Sequence, residues 1–189
     1  MNKILMVMAG ITFSSCALAG GKLVDAAGVN LVKAKKVYST VNLHPDNIKN
    51  LLYSVNYQLP SVIPMCSEVD ILKISKKKMV FKLVDSGKKY TFAYHKKATP
   101  IPFAKYLVDF FASSCDLAAV SKLSEVDQEG VRLGRAQMGM SKEGVLLAMG
   151  RPPHHVNPEL SAFEWIYWRH KFARTIITFD KAGFVTQIR

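Results

Sequence analysis

The chain has 189 residues, 49% hydrophobic and 21% charged, which excludes intrinsic disorder and leaves room for one or two small domains. Lys and Arg number 26 against 14 Asp and Glu, a formal charge of +12 that points to anionic partners: nucleic acid, an anionic membrane surface or an acidic protein. Outside the N-terminus no apolar run reaches the roughly 18–20 residues of a membrane-spanning helix.

Residues 1–19 read as a secretory signal. Lys3 supplies the positive n-region, Ile4 to Phe13 the apolar h-region, and Ala17-Leu18-Ala19 the small-x-small pattern before Gly20. Phe13-Ser14-Ser15-Cys16 also resembles a bacterial lipobox, with Phe13 where Leu is usual, so lipidation at Cys16 is the alternative to cleavage after Ala19. Both routes export the chain, and both remove Cys16 from the count of ordinary thiols. Cys66 and Cys115 remain, and an oxidising compartment favours a disulfide between them over two free buried thiols. Residues 20–115 hold 15 basic and 6 acidic side chains, a net of +9, whereas residues 116–189 hold 10 and 8. The positive charge belongs to the first half.

Residues 28–43 mix β-branched residues with lysines and predict an edge strand. His44-Pro45-Asp46 predicts a helix start, with Ile48, Leu51, Leu52 and Val55 forming its apolar face through residue 57. Residues 67–95 predict a three-stranded meander. Val69, Ile71 and Lys73 alternate with Asp70, Leu72 and Ile74. Met79 to Val84 form the second strand, Asp85-Ser86-Gly87 a turn, and Lys89 to His95 the third strand. The meander brings Lys76, Lys77 and Lys78 to the same end as Lys96 and Lys97, either as a solvated edge or as a patch for phospholipid headgroups or an acidic protein. Pro102 then opens an amphipathic helix whose core stripe is Phe103, Tyr106, Leu107, Phe110 and Phe111.

Residues 116–131 are polar and acidic and predict a linker. Ser141 is the expected N-cap of a short helix with Val145, Leu146 and Met149 on its apolar side, stopped by Gly150 and Pro152-Pro153. Three strands follow, over Ala162–His170, Phe172–Asp180 and Gly183–Ile188, with a turn at Lys181-Ala182-Gly183. Alternation sets Trp165 and Tyr167 on one face and Ile166 and Trp168 on the other. One aromatic set is then either a partner surface, drawn from Trp165, Tyr167 and Trp168, or is covered by the N-terminal half.

The stretch G-M-S-K-E-G-V-L-L-A-M-G-R-P (Gly139 to Pro152) resembles the helical signature of the SmpA/OmlA, or BamE-like, family of small outer-membrane assembly lipoproteins. Trp165-Ile166-Tyr167, the strand Thr175 to Phe179 and the ending Gly183-Phe184-Val185-Thr186-Gln187-Ile188 match it in kind and order. The resemblance covers residues 132–189. It implies a helix-then-three-strand module and a non-catalytic place in envelope machinery, in contact with other lipoproteins and anionic phospholipid. The chain departs from the family pattern in carrying residues 20–115 ahead of the module.

No Ser/His/acid motif, HExxH or phosphate-cradling glycine loop is present, so no catalytic site is expected. His154-His155 and His170 lack a carboxylate at suggestive spacing, so no metal is expected, and no cofactor. Export argues against nucleic acid. The sequence therefore predicts an α+β protein: signal 1–19, a basic domain 20–115 with an antiparallel sheet and flanking helices, and a BamE-like module 132–189. Its expected place is the periplasm of a Gram-negative bacterium, with or without outer-membrane attachment. Its expected role is interaction or scaffolding with envelope proteins and an anionic membrane surface. The alternative is a periplasmic inhibitor or soluble ligand-binding protein.

Overall fold

Alternating apolar residues at 79, 81 and 83 and at 90 and 92 build the centre of the first sheet, and the rest of the N-terminal half packs on that face. The computed structural model describes residues 23–189. The signal segment and Cys16 lie outside the described residues. The fold is α+β. Strands β3 (Val69–Ile74), β4 (Lys78–Leu83) and β5 (Lys89–Ala93) form the expected meander. A bulge between Ile71 and Lys73 changes the phase of β3, so that Ile74 rather than Lys73 turns inward and Leu72 is left exposed.

Two further two- or three-residue strands precede the meander. Of the predicted edge strand, only β1 (Tyr38–Ser39) is regular. Instead of the predicted helix over 44–57, the chain makes a tight turn and then β2 (Leu51–Tyr53), which pairs in parallel with β5. The physical reason lies in Asp46 and Asn50. The Asp46 carboxylate accepts the backbone N–H groups of Ile48 and Lys49, closing an Asx turn, and Asn50 adopts φ 52°. Ile48 is consequently 94% exposed instead of heading an apolar face.

The aromatic stripe after Pro102 is buried as expected but divides between two elements. Helix α1 covers only Phe103–Leu107, and the chain then pairs β6 (Phe111–Ala112) with β1. Phe92 on β5 is the hub: the rings of Phe103, Tyr106, Phe110 and Phe111 surround it with centroids 5.6–6.2 Å away. A disulfide joins Cys66 to Cys115 across a Cα separation of 5.3 Å.

The predicted linker is helical. Asp116 caps α2 (Leu117–Val120), and Ser124 caps α3 (Glu125–Leu133). Asp127 is buried in this arrangement. Its carboxylate accepts the Ser124 hydroxyl and the backbone N–H of Ser141, linking α3 to the start of α4 (Lys142–Met149). Ser141 caps α4, and Gly150 ends it at φ 69°, as the sequence predicts. Strands β7 (Glu164–His170), β8 (Ala173–Phe179) and β9 (Val185–Ile188) make an antiparallel sheet. Its inner face, Trp165, Tyr167, Ile177, Phe179 and Val185, packs on Val145, Ala148 and Met149.

The halves meet at the C-terminal end of α4. A helix leaves its last carbonyls without internal donors, and here donors on segment 42–58 meet three of them. The Leu147 carbonyl accepts the Asn42 N–H at 2.9 Å, and the Ala148 carbonyl accepts His44 Nε2 at 3.0 Å. The Met149 carbonyl accepts both Asn56 Nδ2 at 2.8 Å and Gln58 Nε2 at 3.0 Å. Tyr167 donates its hydroxyl to Gly150, and Asn56 reaches Arg151 as well.

Candidate anion-binding pocket at the lysine end of the first sheet

The β3–β4 connection is a tight turn organised by Ser75, whose Oγ accepts the N–H groups of Lys77 and Lys78. Tyr94 donates its N–H to the Lys77 carbonyl, which lays the chain leaving β5 beside that turn. A second turn follows. Ser54 and Thr99, both buried, hold it: Ser54 Oγ accepts the His95 N–H at 2.7 Å and the Thr99 hydroxyl at 2.8 Å. Lys96 and Lys97 project from it. The five lysines named from the sequence, Lys76, Lys77, Lys78, Lys96 and Lys97, are thus exposed at one end of the sheet. Among the described residues none of them enters an ion pair.

Between the two turns opens a cavity of about 560 Å³, a size typical of small-molecule sites. Ile74, Tyr94, Pro102, Phe103 and Ala104 make its apolar walls, with Tyr94 and Phe103 packed at 5.2 Å. Lys76, Lys77 and Lys96 also line it, and no lining residue is acidic. The lysines were legible in the sequence. The apolar walls were not, because α1 and Tyr94 meet the β3–β4 turn only in the folded chain.

No family model matches the chain, and no curated protein or solved structure matches it either.

The expected aromatic partner surface requires correction. Trp165 and Tyr167 are fully buried beneath α4, and Trp165 packs edge-on against Phe179 at 4.7 Å. Trp168, on the other face, is half-buried: its carbonyl accepts the Gln58 N–H, and it lines a small cleft with Val55 and Tyr57. The outer face is covered there by the N-terminal half. Sequence reasoning missed the exposed aromatics Phe163, Phe172 and Phe184; Phe172, 83% exposed, stands at the tip of the β7–β8 hairpin and is flanked by Arg169, Lys171 and Arg174. No acidic residue lies between Glu164 and Asp180. Lys171 borders the same cleft as His95, so this tip stands beside the lysine end.

Two polar clusters have structural roles. Lys142 donates to the carbonyls of Leu160, Ser161 and Ala162 and lies over the rings of Trp165 and Phe179; burial lowers its pKa. Arg151 donates Nε to His154 Nε2 at 2.9 Å and Nη2 to the Pro158 carbonyl, with Asp109 Oδ2 3.9 Å from both Arg151 and His154. Burial raises the Asp109 carboxyl and, with Arg151 beside it, lowers His154. None of the three residues lines the lysine-end cavity or the cleft beside Trp168. Among the described residues no three His, Cys, Asp or Glu side chains converge on a metal position.

Proposed function

We propose that this is an exported envelope protein acting as a non-catalytic interaction component of an outer-membrane or periplasmic complex, in contact with anionic phospholipid. The observation that carries the reading is the lysine end: five exposed cations, gathered by two turns and without ion-pair partners among the described residues. Phe172 and its three flanking cations extend that basic side with an aromatic residue suited to a lipid interface. Surface lysines contribute about 1 kcal/mol each toward an anionic membrane, so five together supply a contact that salt should weaken. Co-sedimentation with phosphatidylglycerol vesicles tests it. Replacing Lys76, Lys77, Lys78, Lys96 and Lys97 by Gln should abolish binding at moderate salt, and unchanged binding would refute the patch. The apolar pocket beside the lysines favours a second reading, a soluble periplasmic ligand-binding protein. Mass spectrometry of the mature N-terminus, a free Gly20 against a lipidated Cys16, separates soluble from anchored.

A further inference from the structure

The pocket and the lysines form one site whose free polar side-chain groups are of a single kind. Tyr94 contributes a ring face, because its hydroxyl is taken up by the carbonyls of Thr99 and Ile101, each at 3.0 Å. Ser75 is likewise occupied: its Oγ donates to the Lys78 carbonyl and accepts the N–H groups of Lys77 and Lys78. The remaining lining side chains are Ile74, Pro102, Phe103, Ala104 and the three lysines. Among the lining side chains, the ammonium groups of Lys76, Lys77 and Lys96 are what is left to recognise polar atoms of a ligand.

The hydroxyl or amino donors of a sugar or nucleobase would find no free side-chain acceptor here, which costs ~1–3 kcal/mol per buried group. A bare inorganic anion would use the lysines and leave the apolar walls in water. The chemistry that satisfies both is an apolar chain ending in a negative charge. We infer that the pocket takes one molecule of a monoacyl anionic lipid, its chain against Tyr94 and Phe103 and its headgroup among Lys76, Lys77 and Lys96. This inference rests on the anionic-lipid reading above and adds that a single lipid leaves the bilayer plane to enter the protein.

Fluorescence titration of the purified protein with an ω-dansyl fatty acid, followed by displacement with lysophosphatidylglycerol below its micelle concentration, tests it. Saturable binding is expected, with displacement by lysophosphatidylglycerol. A neutral monoacylglycerol of equal chain length should displace roughly a hundredfold more weakly for want of the three lysine contacts. Exchanging Lys76, Lys77 and Lys96 for Gln should bring the anionic competitor down to the neutral one and leave the neutral one unchanged. Ala104→Trp, which fills the pocket from α1, should abolish dansyl binding while vesicle recruitment persists. Should that variant fail to fold, the triple exchange at exposed positions still decides. Absence of saturable dansyl binding, equal affinity for the two competitors, or displacement by inorganic phosphate as good as by the lysolipid would each overturn the inference. Vesicle recruitment without dansyl binding would sink the pocket and spare the lipid contact; loss of both would sink both.

Discussion

Asn56 offers the sharpest test of how the halves are joined. Its Nδ2 donates to Met149 and Arg151, both at 2.8 Å, and its backbone sits at φ 51°, a conformation that Asn tolerates and Ala resists. Asn56→Asp preserves shape and left-handed tolerance but turns the donor into an anionic oxygen facing two carbonyls. Asn56→Ala removes the donor and adds left-handed strain of ~1–2 kcal/mol. Met149 keeps Gln58 as a donor in either case, so the stranded carbonyl is that of Arg151, costing ~1–3 kcal/mol. The alanine variant should therefore lose about 3 kcal/mol, or roughly 6–12 °C in Tm for a chain of this size. The aspartate should lose at least as much at neutral pH, because an uncompensated buried charge is costlier than a missing donor. Both tryptophans, Trp165 and Trp168, lie on β7, so urea unfolding followed by tryptophan fluorescence reports the C-terminal sheet while far-UV circular dichroism reports the whole chain. The two curves should coincide and move together in each variant. A tryptophan transition in Asn56→Asp within about 0.5 kcal/mol of the parent, the usual scatter of neutral surface changes, would refute the capping argument.

Three further expectations follow from individual contacts. Burial lowers the His44 pKa, and the pocket beside it carries Arg135 and Arg169 and no acid. The unfolded chain therefore takes up the proton first: His44's contribution is whole above pH ~6.5, the unfolded histidine value, and declines as pH falls toward the folded one. His154 acts in the same direction and Asp109 in the opposite one, so the urea midpoint from pH 8 to pH 5 should be compared with His44→Gln, whose profile should be flatter. Parallel profiles would remove His44 from the account. Reducing the Cys66–Cys115 bond, which spans 49 positions, should destabilise by about 4 kcal/mol on the chain-entropy argument, seen as a lower urea midpoint with dithiothreitol and no change in a Cys66→Ser/Cys115→Ser variant. Gly144→Ala in α4 should destabilise, against the ~1 kcal/mol that helix propensity alone would gain, because the new methyl would overlap the Asp127 carboxylate that holds the Ser141 N–H. A more stable alanine variant would show that Asp127 moves aside freely.

What the sequence discloses here is local. The meander, the Ser141 and Gly150 caps and the hairpin at Gly183 depend on neighbours within a few residues, and each forms where its residues predict. The parallel strand at Leu51–Tyr53 was hidden because Leu-Leu favours a helix until Asp46 and Asn50 close the turn and β5 supplies the partner. Helix α3 was hidden by its polarity, although Ser124 followed by Asp127 carries an N-cap signal. Alternation sorted Trp165 and Tyr167 from Ile166 and Trp168 correctly. It did not say which pair faces α4, since that choice is made by Val145 and Met149 from outside the strand. The candidate site divides in the same way: lysines on adjacent turns are a local inference, and the apolar walls beside them a tertiary one.

The capping of α4 also bears on where a partner can bind. In a free helix-plus-sheet module the end of α4 would present the carbonyls of Leu147, Ala148 and Met149 to solvent or to another protein. Here Asn42, His44, Asn56 and Gln58 occupy them, and Val55 and Tyr57 share a small cleft with Trp168. The N-terminal half thus takes the place a partner would have on that side of the module. The lysine end and Phe172 border that contact and stay exposed, for Lys171 and His95 line the same cleft as Val55, Tyr57 and Trp168. Charge and exposed aromatic area coincide there, drawn from opposite halves of the chain. A surface assembled from both halves needs them fixed in one arrangement, and the capped carbonyls of α4 provide the fixing. That connection makes the Asn56 variants a test of the proposed lipid contact as well as of stability: if the proposal holds, loosening the α4 end should weaken vesicle binding by a protein whose five lysines are all intact.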